Sequence, residues 1–221
     1  MPRDYRRRVT DPATMPIAVA MQRPAWRDTF SALRLHNYRL YVVAQLISNT
    51  AGWMQRIAVD WLVLELTGSV ALVGLTIALQ FLPTLVLGAH AGVIADRFSK
   101  RAVMLVCQAV GGLLNLVLAI LAITGHAQLL TVYALVLAVG IAQVFDLPAR
   151  SVFITEMVGA RHLRNAISVH ASFFHLGALV GPALSGLLIV AVGSGWAIGL
   201  NVVAAAIGIV LLLAILVLAR K

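Results

Sequence analysis

The sequence predicts an all-α membrane protein with six transmembrane helices, and three observations carry that prediction. Hydrophobic residues make up 61% of the 221 and charged residues 11%, against roughly 45–50% and about 25% in soluble globular domains. The mean hydropathy is +0.96, so there is too little polar surface to wrap a water-soluble core. Six apolar runs follow one another, most of them near the ~20 residues a helix needs to cross a bilayer. Finally, Lys and Arg fall in alternate breaks between those runs, as they do in loops retained on the cytoplasmic side.

Residues 1–37 come first, an Arg-rich arm with Pro2, Pro12, Pro16 and Pro24. Such a composition does not pack a core and is expected to be a disordered or surface-lying tail. Its one apolar stretch, Met15 to Met21, is short for a signal-peptide core, contains Pro16 and is followed by arginines, so no cleavage is expected. Residues 38–221 form the bundle. Its spans are expected at about 40–66, 71–91, 102–123, 129–145, 166–192 and 196–218, of which the third and sixth are the cleanest. The first span carries several polar residues and the fifth a Gly181-Pro182 step. These two should score worst by hydropathy, and interrupted spans of this kind are where transporters bind solutes.

Of the 17 cations, the arm and its junction hold Arg3, Arg6, Arg7, Arg8, Arg23, Arg27, Arg34 and Arg39. The break after the second span holds Arg97, Lys100 and Arg101, the break after the fourth holds Arg150, Arg161 and Arg164, and the tail holds Arg220 and Lys221. The other three breaks hold none, so both termini and two loops are expected in the cytoplasm. A formal charge of +9 with this placement is membrane-surface charge. It is not the basic face with interleaved aromatics that nucleic acid requires. Cys107, the single cysteine, excludes an intrachain disulfide and a multi-cysteine metal site. No H-E-x-x-H, phosphate loop or G-x-S-x-G is present, and neither enzyme chemistry, a cofactor nor a metal is expected.

Gln45, Asn49, Gly52, Trp53, Arg56 and Asp60 recur at steps of three and four, so they share one stripe on the first helix. An intramembrane charge costs at least ~2.5–3.5 kcal/mol, which directs Arg56 and Asp60 to a protein interior or watery cavity, paired one turn apart. Two readings stand: a static ion pair that fixes packing, or an Asp60 whose proton is exchanged during transport. Glu65, at the span's end, reads as an interfacial charge. On the fifth span Gly177, Gly181, Pro182, Ser185 and Gly186 allow close helix approach, either for packing alone or for sealing a pathway. His170 and His175 point in different directions and read as interior histidines. Gln80, Asn115, Gln143 and Asn201 fit a cavity lining but more often make interhelical hydrogen bonds.

The segment Gly92-Val-Ile-Ala-Asp96-Arg97-Phe-Ser-Lys100-Arg101 resembles the signature loop between helices two and three of the major facilitator superfamily, with Ser99 where a second glycine is usual. Gly177-Ala-Leu-Val-Gly181-Pro182-Ala-Leu-Ser185-Gly186 resembles that superfamily's antiporter motif on the fifth helix, with Ser185 in place of glycine. Gln45 to Asn49, Trp53 to Arg56, Asp60 to Ser69 and Asp146-Leu-Pro148-Ala-Arg150 resemble its bacterial drug and siderophore exporters of the enterobactin-exporter type. His170, His175 and Ala178 depart from the Asn, Asn and Arg expected there, so no role is carried to them.

The resemblance implies one half of a major facilitator fold, built from two inverted three-helix repeats. It further implies a bacterial inner-membrane location and a charge network of Asp96 with Arg97, Arg101 and Arg150 that locks one conformation. Because the sequence stops at Arg220-Lys221, where a central loop would begin, the expectation is an amino-terminal half, a truncation or an incomplete reading frame, completed by a carboxy-terminal half or a second copy. The function expected is proton-coupled efflux of small amphipathic molecules, drugs or siderophores, by alternating access. The alternative is a non-transporting fragment or packing partner whose polar stripe serves assembly.

Overall fold

A computed structural model describes residues 36–218. Most of the predicted arm, with Arg220 and Lys221, lies outside the described residues. Six helices follow one another: α1 (His36–Thr67), α2 (Val70–Arg97), α3 (Lys100–Ile123), α4 (Leu129–Gly159), α5 (Leu163–Val192) and α6 (Ser194–Leu218). The α4–α5 pair runs on as one helical stretch broken only at Gly159, whose φ of 66° and ψ of 171° suit a residue without Cβ. Five of the six are long and apolar enough to cross a membrane, and the exception is α1, as its polar stripe predicts. Among those five the α5 span has the lowest hydropathy, 1.9.

The turns explain the tight reversals at one end of the bundle. Gly68, Gly125 and Gly193, at φ of 63°, 71° and 91°, end α1, α3 and α5. Ser69 caps α2 by accepting a bond from the Leu72 amide at 3.4 Å. At the other end the α2–α3 connection is only Phe98 and Ser99, both extended. Ser99 at φ −64° explains why this chain does without the second glycine: the backbone there asks for no left-handed residue.

Two apolar clusters close the bundle, one at each end. Tyr38, Tyr41, Met104, Phe153, Val169 and Leu212 are among the residues of the first. Val59, Val63, Leu118, Val132, Ala197 and Ile198 belong to the second. Since α1 and α3 pass from the first cluster to the second while α4 and α6 pass back, neighbouring helices alternate in direction. Tyr38 near the start and Leu212 near the end then share one cluster. Most other large side chains face outward, Leu85 84% and Val190 90% exposed, as a lipid-facing surface requires.

One expectation about a boundary is corrected. The fourth helix does not stop near Phe145 but continues to Gly159, so Asp146, Pro148 and Arg150 lie within it. Asp146 and Arg150 stand four residues apart and pair with each other, which lets a charged segment stay helical. The second span, Val70–Gly92, lies where the sequence expects it, and its helix runs on to Arg97, so most of Gly92 to Arg101 is helix on either side of a two-residue break.

Candidate functional site

Between the two apolar clusters the helices carry a belt of polar side chains, and α1 is its spine. Its stripe does not face one neighbour. Asn49 turns to α5, where its amide donates to the backbone carbonyls of Phe173 at 3.2 Å and Phe174 at 3.0 Å. Asp60 turns to α2 and accepts a hydrogen bond from Gln80 Nε2 at 3.0 Å. Arg56 does not bond Asp60: its guanidinium carbon lies 5.1 Å from the Trp53 ring centroid and 4.9 Å from that of Phe81, within cation–π range. The expected pair one turn apart is therefore replaced by two separate engagements. The Gln80 amide of α2 bonds the Asp60 carboxylate, and the partly buried Arg56 cation lies against the two aromatic rings.

A second polar chain crosses the bundle from the other side of α1. Gln55 donates to Asn115 Oδ1 at 2.8 Å, and Asn115 donates to Asn201 Oδ1 at 2.9 Å, linking α1, α3 and α6. Gln55 and Asn115 are buried, and each amide meets the need of the next. The sequence marks Asn115 and Asn201 as interhelical candidates; that they bond each other directly, with Gln55 of α1 joined to Asn115, is a long-range fact with no local signal. Gln55, Arg56 and Gln80 also line a cleft of about 30 Å³ with Val59, Val136, Val139, Gly140 and Gln143.

Towards the first apolar cluster lies a partly buried ion pair. Arg150 donates through Nε to Asp146 and through a terminal nitrogen to Gln45 of α1. Their side chains are 12% and 15% exposed. Arg150 is thus held inside the bundle by Asp146 and Gln45. The Asp96 side chain, its expected partner, lies outside the described side chains, as does that of Arg161. Arg97 is exposed, and Arg101 sits 5.7 Å from the ring of Phe153, so these cations gather at one end of the bundle. At the opposite end Glu65 accepts from Trp61 Nε1 and Ser194 Oγ, both at 2.8 Å, which ties the α1 terminus to the α5–α6 turn.

The glycines of α5 explain how α1 and α5 come so close. A Cβ at Gly177 would overlap the Asn49 amide, and one at Gly181 would stand 2.6 Å from Trp53 Cβ and 3.0 Å from the Thr50 carbonyl. Four residues on, Ser185 is fully buried and donates to the Met54 carbonyl at 2.9 Å. Ser185 thus fits where the motif has glycine because its hydroxyl finds a backbone acceptor on α1. Gly186 faces open space and takes no part in the contact. Pro182 lies inside the helix and withholds the amide that would bond the Ala178 carbonyl. His175 is exposed and meets Phe174 edge-on at 5.7 Å; His170 is partly buried. Among the described residues no group of three His, Cys, Asp or Glu stands where it could hold a metal.

A family model described as transmembrane secretion effector matches residues 27–221. The enterobactin exporter EntS of Salmonella typhimurium is 29% identical over 205 residues, 90% of this chain and 48% of that protein. EntS of Shigella flexneri is 28% identical over 181 residues, 81% of this chain and 44% of the relative. The multidrug efflux pump Tap of Mycolicibacterium fortuitum is 28% identical over 159 residues, 70% of this chain and 39% of the pump. The chain spans about half the length of these curated relatives. No solved structure matches it.

Proposed function

The chain belongs to the transmembrane secretion effector family of the major facilitator superfamily, a class of membrane transporters and not of enzymes, and from that membership we propose that it is the amino-terminal bundle of a proton-coupled exporter of small amphipathic molecules. In this reading two inverted repeats, α1–α3 and α4–α6, form one half of an alternating-access machine in a bacterial inner membrane. A second bundle supplies the rest of the cavity, and both termini are cytoplasmic.

The observation that carries the proposal is Asp60. It lies seven residues inside the end of α1, about 10 Å along the axis at 1.5 Å per residue. It has one hydrogen-bond donor, Gln80, and among the described residues no ion pair. A carboxyl held this way in a membrane loses little by taking a proton, which is what a coupling group must do. Arg56 stands one turn away as the charge that senses the change. Asp96, with Arg97, Lys100 and Arg101, would latch the end of the bundle where α2 meets α3, and Gly177 and Gly181, with Pro182 beside them, would seal α5 against α1. The Asp146–Arg150 pair would hold the same end of α4 to α1 through Gln45.

The packing reading has one observation in its favour: both donor bonds of Asn49 go to the α5 backbone, which gives that residue an assembly role. Efflux of an amphipathic dye from energised vesicles separates the two. With the full-length protein inserted at normal abundance, Asp60→Asn should abolish proton-linked efflux while Asp60→Glu keeps part of it. Unchanged efflux in Asp60→Asn removes Asp60 from coupling. An amino-terminal tag at the native locus tests the second bundle, which predicts a product about twice the 23.6 kDa of this chain.

A further inference from the structure

Arg56 stands within cation–π range of two rings, 5.1 Å from the Trp53 centroid and 4.9 Å from that of Phe81. Trp53 and Phe81 flank the guanidinium, yet among the described residues its N–H groups make no hydrogen bond and no ion pair. A guanidinium carries five N–H donors in its plane, arranged as a fork that matches the two oxygens of a carboxylate, and ring faces do not satisfy that edge. The aromatic surface extends beyond the arginine. Trp53 meets Phe174 edge-on with centroids 6.0 Å apart, and Phe81 and Phe174 remain 49% and 41% exposed. Arg56 also lines the 30 Å³ cleft beside Gln80 and the exposed Gln143, two amides able to donate.

We propose that Arg56, with Trp53, Phe81 and Phe174, forms a subsite for a flat aromatic solute bearing a carboxylate, the carboxylate on the guanidinium edge and the ring against the exposed aromatic faces. Three features of the site select this class. A cation is repelled by Arg56, a neutral aromatic leaves the fork unfilled, and an aliphatic acid fills the fork but forgoes stacking on the rings. Each partial match leaves a polar edge or an apolar face without a partner, and specificity comes from that mismatch. The proposal rests on the transporter reading for its biological sense. It does not need proton coupling, because equilibrium binding tests it.

The test uses the whole chain in lipid nanodiscs and saturation-transfer NMR with four probes: 2-naphthoate, 2-naphthalenemethanol, 2-naphthylmethylamine and decalin-2-carboxylate. Saturable binding of 2-naphthoate is expected, at least tenfold tighter than any of the other three. Arg56→Gln should bring 2-naphthoate down to the level of the alcohol and leave the alcohol unchanged, and Arg56→Lys should restore only part of the difference. If Arg56→Gln fails to insert, Phe81→Leu, at an exposed ring, should weaken naphthoate and leave decalin carboxylate alone. An alcohol that binds as tightly as the acid overturns the subsite, and so does naphthoate binding indifferent to both substitutions. No efflux by the unmodified full-length protein, with naphthoate selectivity intact, would refute the exporter reading and leave the subsite standing. Efflux intact with no selectivity would do the opposite.

Discussion

At the scale of single residues, the polar groups of the belt differ in how much each holds the fold together. Arg150 and Asp146 are the extreme case, a cation and an anion both nearly removed from solvent. Removing one member strands the other, at about 3–5 kcal/mol, whereas removing both costs far less because the desolvation is relieved together. Arg150→Gln should therefore lower the melting temperature sharply, and Asp146→Asn with Arg150→Gln should recover most of the loss. A double variant as labile as the single one would show that Gln45, and not the ion pair, sets the stability. The Gln55–Asn115–Asn201 chain belongs to the other extreme. Interhelical hydrogen bonds in membranes average about 0.6 kcal/mol, so Asn115→Leu, which removes two, should cost on the order of 1–2 kcal/mol. Thermal unfolding of the same preparations compares the two directly. Asp146 and Arg150 are one turn apart, but neither the bond from Arg150 to Gln45 nor the amide chain could be read locally. Arg150 and Gln45 are 105 residues apart, and Pro148 between Asp146 and Arg150 looks like a break in the sequence although the helix runs through it.

At the scale of helices, the sequence reveals what the bilayer enforces and hides what neighbours decide. Six apolar runs are legible because a spanning segment must satisfy its own backbone, which leaves the helix as the solution here. Helix ends are less so: α2 and α4 continue past the apolar run, and polar residues such as Asp146, Arg150 and Arg97 are as helical as the leucines before them. Periodicity placed Gln45 to Asp60 on one stripe of α1, yet could not say that Asn49 would meet α5 and Asp60 would meet α2, since a stripe wide enough for both has no named neighbour. The glycines sort by the same logic. Gly181→Ala puts a methyl 2.6 Å from Trp53 Cβ and against α1 backbone, an overpacking expected to cost about 1–3 kcal/mol. Gly186→Ala meets nothing within 4 Å and should be silent. Gly159→Ala also meets nothing, but φ of 66° with ψ of 171° is a region kept for glycine, so a loss of about 1–3 kcal/mol is expected from backbone strain alone. Equal melting temperatures for Gly181→Ala and Gly186→Ala would mean that α1 and α5 are less closely packed than their contacts imply.

At the scale of the whole molecule, charge and turn chemistry divide the bundle into two unlike ends. The end closed by Tyr38, Met104, Phe153 and Leu212 gathers Arg39, Arg97, Lys100, Arg101 and Arg164 around short or continuous helical connections. The opposite end has glycine turns at Gly68, Gly125 and Gly193, and no Lys or Arg in any of them. Positive loops resist translocation, so the first end is expected in the cytoplasm. Helix alternation makes this an all-or-none matter, because α1 and α6 start and finish at the same end and no single helix can be inverted without inverting the rest. Cysteine labelling reads it directly in a Cys107→Ser background, which removes the one thiol of these 221 residues. Ser99→Cys, in the exposed α2–α3 break, should react with an impermeant maleimide only after the cells are opened. Thr124→Cys, exposed beside Gly125, should react on intact cells. The reverse pattern would turn the bundle over, place the Arg97–Arg101 cluster outside, and leave the proposed cytoplasmic latch on the wrong face of the membrane.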